Sequence, residues 1–97
     1  MTHDRRYSLA PDVVFTPTGP EALLLKLDDE TMFALNATGA RTVQLAIEGL
    51  DECALLQTLA AEYASSPAAI EAETIELLNT LVAGGLLRRL GMESIGG

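Results

Sequence analysis

Few residues in this chain have the chemistry to make or break a covalent bond. The sole histidine, His3, stands in the polar segment Met-Thr-His-Asp-Arg-Arg-Tyr, and a general base or metal ligand needs a fixed geometry. The single cysteine, Cys53, falls in the first turn of a helix opened by Asp51. A helix N-terminus lowers a thiol pKa, but Asp51 and Glu52 oppose a thiolate and no histidine stands by. Filling a small core site is the simpler role for it. Glu71, Glu73 and Glu76 share a helix without all sharing a face, the pattern of a solvated surface. Gly84-Gly85 follows a helix instead of opening one, the wrong polarity for an anion cradle. No Cys/His set has zinc spacing. The expectation is a protein that binds and does not catalyse, with no cofactor and no metal.

Bulk properties narrow the partner. A chain of 97 residues, 48% apolar and 21% charged, suits one globular domain with a modest core. The aromatics are Tyr7, Phe15, Phe33 and Tyr63, so the core must be built from Leu, Ile, Val and Ala. The net charge is −8, and from Glu48 to Leu87 there are seven acids and no Lys or Arg. Such a surface repels polyanions, so neither nucleic acid nor an anionic membrane is an expected partner. One cysteine allows no internal disulfide. The N-terminus lacks the apolar run of a signal peptide, and no stretch approaches the ~20 apolar residues that cross a bilayer. A cytoplasmic protein is expected.

Hydrophobic patterning sets out the elements that must position any site. Residues 1–10 and 91–97 read as flexible tails flanking a domain over 11–90. Short strands are expected over Asp12 to Thr16, Ala22 to Leu27 and Thr31 to Leu35, separated by Pro17-Thr18-Gly19-Pro20 and Asp28-Asp29-Glu30. The apolar run Leu23-Leu24-Leu25 suits the middle strand of an antiparallel meander, which leaves Thr31 to Leu35 at an edge. Asn36 is placed to cap a helix whose face is Ala40, Val43 and Ile47, ended by Gly49. Asp51 caps a second, with Leu55, Leu56, Leu59, Ala60 and Tyr63 on one side. Ser66 or Pro67 opens a third, which runs to about Ala83. The order is α+β: a three-stranded antiparallel sheet followed by three helices, winged helix-turn-helix-like.

Helix three carries two apolar stripes. Ile70, Thr74, Leu77 and Leu81 suffice to dock it on a core. Ile75, Leu78 and Val82 lie about 100° round the helix, which makes the apolar arc wider than one packing face requires. One reading buries the helix on two sides. The other makes the surplus stripe the floor of a groove beside the edge strand. An unpaired edge next to an apolar helix is the geometry for strand addition, in which main-chain hydrogen bonds give affinity and side-chain pockets give selectivity. The edge carries neither Lys nor Pro as protection. The candidate peptide-binding residues are Thr31, Met32, Phe33, Ala34 and Leu35 with Ile75, Leu78, Asn79 and Val82. Leu78→Asp is expected to weaken peptide binding and spare the fold.

The segment Phe33-Ala34-Leu35-Asn36-Ala37-Thr38-Gly39-Ala40, with Leu45 and Glu48-Gly49, resembles the strand-to-helix junction of PqqD-like proteins. Ile70, Glu73-Thr74, Leu77-Leu78, Leu81 and Gly85-Leu86-Leu87 are similar to that family's third helix and its Gly-Leu-Leu end. The resemblance spans Pro11 to Leu87. It implies a recognition element for ribosomally made, post-translationally modified peptides, in which the precursor's leader is added as a strand beside the third strand and third helix. The implied partners are that leader peptide and the pathway's leader peptidase and modifying enzyme. The turn Lys26-Leu27-Asp28-Asp29-Glu30 departs from the Tyr-Pro-Glu-Gly-like turn of pyrroloquinoline quinone chaperones. The Asn-Ala-Thr-Gly-Ala junction is closer to the free-standing recognition proteins of lasso peptide pathways, which work with a leader peptidase and a macrocyclase. A quinone-pathway peptide chaperone and a DNA-binding winged helix are the alternatives. A monomer or weak dimer is expected, since a free edge can pair with its own copy.

Overall fold

The computed structural model describes residues 6–63 and 66–90. The elements run β1 (Arg6–Leu9), β2 (Val13–Thr18), β3 (Glu21–Lys26), β4 (Thr31–Leu35), α1 (Ala37–Ile47), α2 (Glu52–Glu62), α3 (Pro67–Ala83) and β5 (Leu87–Leu90). The central sheet is antiparallel in the order β2-β3-β4, so the three-strand, three-helix expectation holds with β3 in the middle. The β2–β3 hairpin closes through Gly19-Pro20, and Thr18 faces Glu21 across it.

Of the tail expected over residues 1–10, residues 1–5 lie outside the described residues and the rest is ordered. Arg6–Leu9 is a strand that pairs antiparallel with Leu87–Leu90, Tyr7 facing Arg89 and Leu9 facing Leu87. Burial of the Tyr7 ring, 3% exposed, supplies the reason that the polar composition of the segment hides. The Arg89 guanidinium lies 5.9 Å from the ring centroid. The expected tail over 91–97, like His3, lies outside the described residues.

The core follows from alternation and helical period. Val13, Ala22, Leu24 and Leu35 bury one face of the sheet. Val43 and Ala46 of α1, Leu55 and Leu59 of α2, and Ile70, Leu78 and Leu81 of α3 complete it. Each wholly buried leucine stabilises the fold by roughly 1.5–3 kcal/mol relative to exposure. Ile47, expected on the packed face of α1, is 41% exposed in the last turn. Cys53 is exposed as well, so it fills no core site.

The caps match the sequence. Gly39 N–H donates to Asn36 Oδ1 at 2.8 Å and Ala54 N–H to Asp51 Oδ1 at 2.8 Å. Ser66 caps α3, its Oγ 3.4 Å from the Ala69 nitrogen. Gly85, at φ +77°, ends α3: Leu86 N–H reaches back to the Leu81 carbonyl at 2.9 Å and the chain turns into β5.

Candidate functional site

The hydrogen-bond phase of the sheet decides which backbone groups are open. Leu27 N–H donates to the Asp12 carbonyl at 2.8 Å, at the end of the ladder between β2 and β3. Backbone groups alternate sides along an antiparallel strand. Leu23 and Leu25 therefore bond β2, while Ala22, Leu24 and Lys26 bond β4. Those three face Leu35, Phe33 and Thr31. Met32 and Ala34 are left with N–H and C=O pointing away from the sheet, and no described residue takes them. The edge expected from the sequence is thus open, and its outward-facing backbone groups belong to two residues.

Side chains alternate with the backbone. Thr31, Phe33 and Leu35 share the inner face, exposed, half-buried and buried in that order, whereas Met32 and Ala34 stand on the outer, exposed face. The strand's start is pinned by Asp29. Its Oδ1 accepts from the Thr31 hydroxyl at 2.7 Å and from the Thr31 N–H at 3.2 Å. The hydroxyl bond leads in holding the Asp29 carboxyl below its ordinary pKa; desolvation works against it.

A groove of about 370 Å³ runs along the inner side of this edge. Phe33, Ala34 and Leu35 form one wall, Asn36, Thr38, Gly39 and Thr42 the floor from α1, and Glu73, Thr74 and Leu77 the wall from α3. Gly39 sets the close approach of α1: a Cβ there would sit 3.2 Å from Asn36 Oδ1, 3.4 Å from Leu77 Cδ2 and 3.5 Å from Leu35 Cδ2. Thr42, 1% exposed, spends its hydroxyl on the Thr38 carbonyl at 2.9 Å. Glu73 is the charged residue of the lining.

The helix residues expected in the site do not line this groove. Leu78 is fully buried and belongs to the core. Ile75 and Asn79 line a different, shallow hollow on the far flank of α3 with Ala68, Glu71 and Ala72. Asn79 Oδ1 accepts from Arg89 Nη2 at 2.7 Å, which ties α3 to β5. Val82 is half-buried beside Ala10, Pro11 and Leu87, near the β1–β5 ribbon. The physical reason is a rotation of the helix. With about 100° per residue, a buried face on Ile70, Thr74, Leu78 and Leu81 puts Glu73 and Leu77 on one flank and Ile75 and Val82 on the other. The flank toward β4 is the Glu73–Leu77 one. Sequence reasoning thus missed Thr38, Gly39, Thr42, Glu73, Thr74 and Leu77 as groove residues. The available signal was Leu77 itself, placed at the edge of the core stripe one turn from a threonine.

Residues 21–87, which carry this edge and groove, match the family described as coenzyme PQQ synthesis protein D (PqqD). The chain belongs to that family. Among solved structures it is similar to TbiB1 in complex with the TbiA(beta) leader peptide, at 27% identity and a TM-score of 0.79, over 88% of this chain and 99% of that one. It shares its fold with lasso peptide synthetase B1 complexed with the leader peptide, at 24% identity and a TM-score of 0.77, over 89% and 99% of the two chains. A comparison with curated proteins gives no match. No helix of the described residues is long and apolar enough to cross a membrane.

Proposed function

We propose that this protein is a non-catalytic adaptor that binds the leader of a ribosomally made precursor peptide and presents it to processing enzymes. The leader adds as a strand to β4, bonded to Met32 and Ala34, with alternate side chains entering the groove between Phe33 and Leu77. The enzymes served are a leader peptidase and a macrocyclase of a lasso peptide pathway. The observation that carries the reading is the open backbone of Met32 and Ala34 beside a groove of mixed lining, Phe33, Leu35 and Leu77 with Thr38, Glu73 and Thr74. The likeness to TbiB1, solved with a leader peptide, supports it. A peptide chaperone of quinone biosynthesis is the second reading, favoured by the description of the family model, and it uses the same edge. A DNA reader is disfavoured because α3 carries Glu71, Glu73 and Glu76 and no Lys or Arg.

Amide exchange with and without candidate leader peptides of the two pathways tests the site. The Met32 and Ala34 N–H groups, open to water in the free protein, gain protection when the strand adds. Binding without protection at those two amides would reject strand addition on β4. No binding to a leader from either pathway would reject the adaptor.

A further inference from the structure

A strand added to β4 has two faces, and the groove meets only one. The other face continues the outer surface of the sheet. There the register sets Val14 against Leu25 and Leu25 against Met32, and in the next row Thr16 against Leu23 and Leu23 against Ala34. Both rows end at the open edge. No helix covers them: Val14 is 41% and Met32 61% exposed, with Leu23 and Leu25 half-buried. The inner face of the same strands buries Ala22, Leu24 and Leu35. Solvated antiparallel faces ordinarily alternate to polar residues, so an aliphatic row from one edge to the other calls for an occupant.

The hydrogen-bond phase names it. Met32 and Ala34 are the residues whose backbone faces outward, so a guest added antiparallel, as the sheet's existing pairings are, sets one hydrogen-bonded residue opposite each. The side chains of such a pair emerge on the same face. The guest residue paired with Met32 therefore extends the Val14–Leu25–Met32 row by one position, and the guest residue paired with Ala34 lands beside a small side chain that leaves room over Leu23.

Resting on the strand-addition reading, we propose that the outer face of the sheet is a second specificity surface. It selects an apolar side chain at the leader position paired with Met32, the position that points away from the groove. The leader is thus read on both faces: the groove takes the residue between the two bonded positions, and the Val14–Leu25–Met32 row takes the residue next to it. A leader with the alternating pattern of an ordinary half-buried strand satisfies only the groove.

A display library of short random peptides, panned on the wild-type protein and on Met32→Ser, tests this. The expected wild-type binders carry neighbouring apolar residues on opposite faces of a strand, and the Met32→Ser binders lose the apolar preference at one of the two. Calorimetry on the best wild-type binder closes the cycle. Met32→Ser weakens it about threefold to fivefold, serine at the paired peptide position does the same, and the two together cost little more than either alone. Additive losses, or identical preferences on both proteins, overturn the proposal and leave strand addition standing. Binders insensitive to Ala34→Pro, which removes an outward N–H, overturn strand addition itself. Sedimentation of the free protein decides the remaining occupant: a dimer that Met32→Ser abolishes would assign the row to a second copy and overturn the leader assignment.

Discussion

The two edges of the central sheet are built on opposite principles. The outward positions of β2 are Val13, Phe15 and Pro17, by the same phase that leaves Met32 and Ala34 outward on β4. Val13 N–H is already taken by the Ala10 carbonyl at 3.0 Å, and Pro17 has no N–H to offer. Only Phe15 keeps an outward donor there. On β4 neither position is blocked by proline, by a neighbouring chain or by a charged side chain within the strand. Both edges border a hollow of similar size, about 360 Å³ beside Phe15 and Pro17 and about 370 Å³ beside Phe33 and Leu35, so the difference lies in the outward donors: one is left on β2 and two on β4.

The largest effect comes from a change that abolishes both edges at once. Leu78 has no exposed surface, so Leu78→Asp buries an unpaired carboxylate in the core. The cost is several kcal/mol, comparable to the whole stability of a small domain. Circular dichroism should show an unfolded chain, whereas the sequence alone suggested a folded protein with weakened binding. A cooperative melt close to wild type would place Leu78 at the surface and undo the rotation assigned to α3.

Next comes the contrast between the edges. Ala34→Pro removes one of the two outward donors of β4 and leaves its ladder to β3 untouched. With a net hydrogen bond of about 1 kcal/mol and a ring set in the guest's path, leader affinity should fall by about tenfold or more. The reciprocal change, Pro17→Thr, restores a donor to β2 and should leave leader affinity as it was. Equal sensitivity of the two edges in calorimetry would erase the distinction between them.

The flanks of α3 give a smaller contrast of the same kind. Leu77 is half-buried on the groove wall and Ile75 half-buried on the far flank. Leu77→Ala should weaken leader binding about fivefold, while Ile75→Ala should not change it measurably. The opposite order would return the binding wall to the flank first expected.

These contrasts mark what the sequence could tell. The edge strand Thr31–Leu35 was legible because turn residues bound it and because a meander puts its last strand outside. Asn36, Asp51, Ser66 and Gly85 gave the helix ends, since caps are local chemistry. The wall of the site was not legible. Leu77 and Leu78 are adjacent leucines at the rim of one wide apolar arc, and only packing against α1 and the sheet decides which turns inward. The β1–β5 ribbon was hidden for a related reason. Arg6 fell within the expected tail, Arg88 and Arg89 stood at the end of the expected domain with no strand assigned to them, and Tyr7 finds its burial through a partner some eighty residues along the chain. Periodicity reports how much of a helix is apolar; the rotation of that helix is a tertiary quantity.

The smallest prediction concerns the turns that lead into the two edges. The chain passes from β2 to β3 through Gly19 at φ +88°, a conformation glycine adopts freely. It enters β4 through Glu30 at φ +59°, where a side chain is strained. The Asp29 carboxylate holds that second turn by accepting from both the hydroxyl and the amide of Thr31. Glu30→Gly should relieve about 1 kcal/mol of strain and give back part of it as extra freedom in the unfolded chain. A net gain near half that size corresponds to a rise in melting temperature of about 2–4 °C. Leader affinity should stay unchanged, because Met32 and Ala34 keep their register. The depressed pKa of Asp29 adds a sign: its contribution is present while the carboxylate is charged and is lost as pH falls through its folded value, below the ordinary carboxylate range. Being fully exposed, it contributes little, and the Glu30→Gly gain should persist in acid where the Asp29 contribution has gone. A lower melting temperature for Glu30→Gly would mean that the Glu30 side chain, and not the left-handed backbone, holds the entry to the open edge.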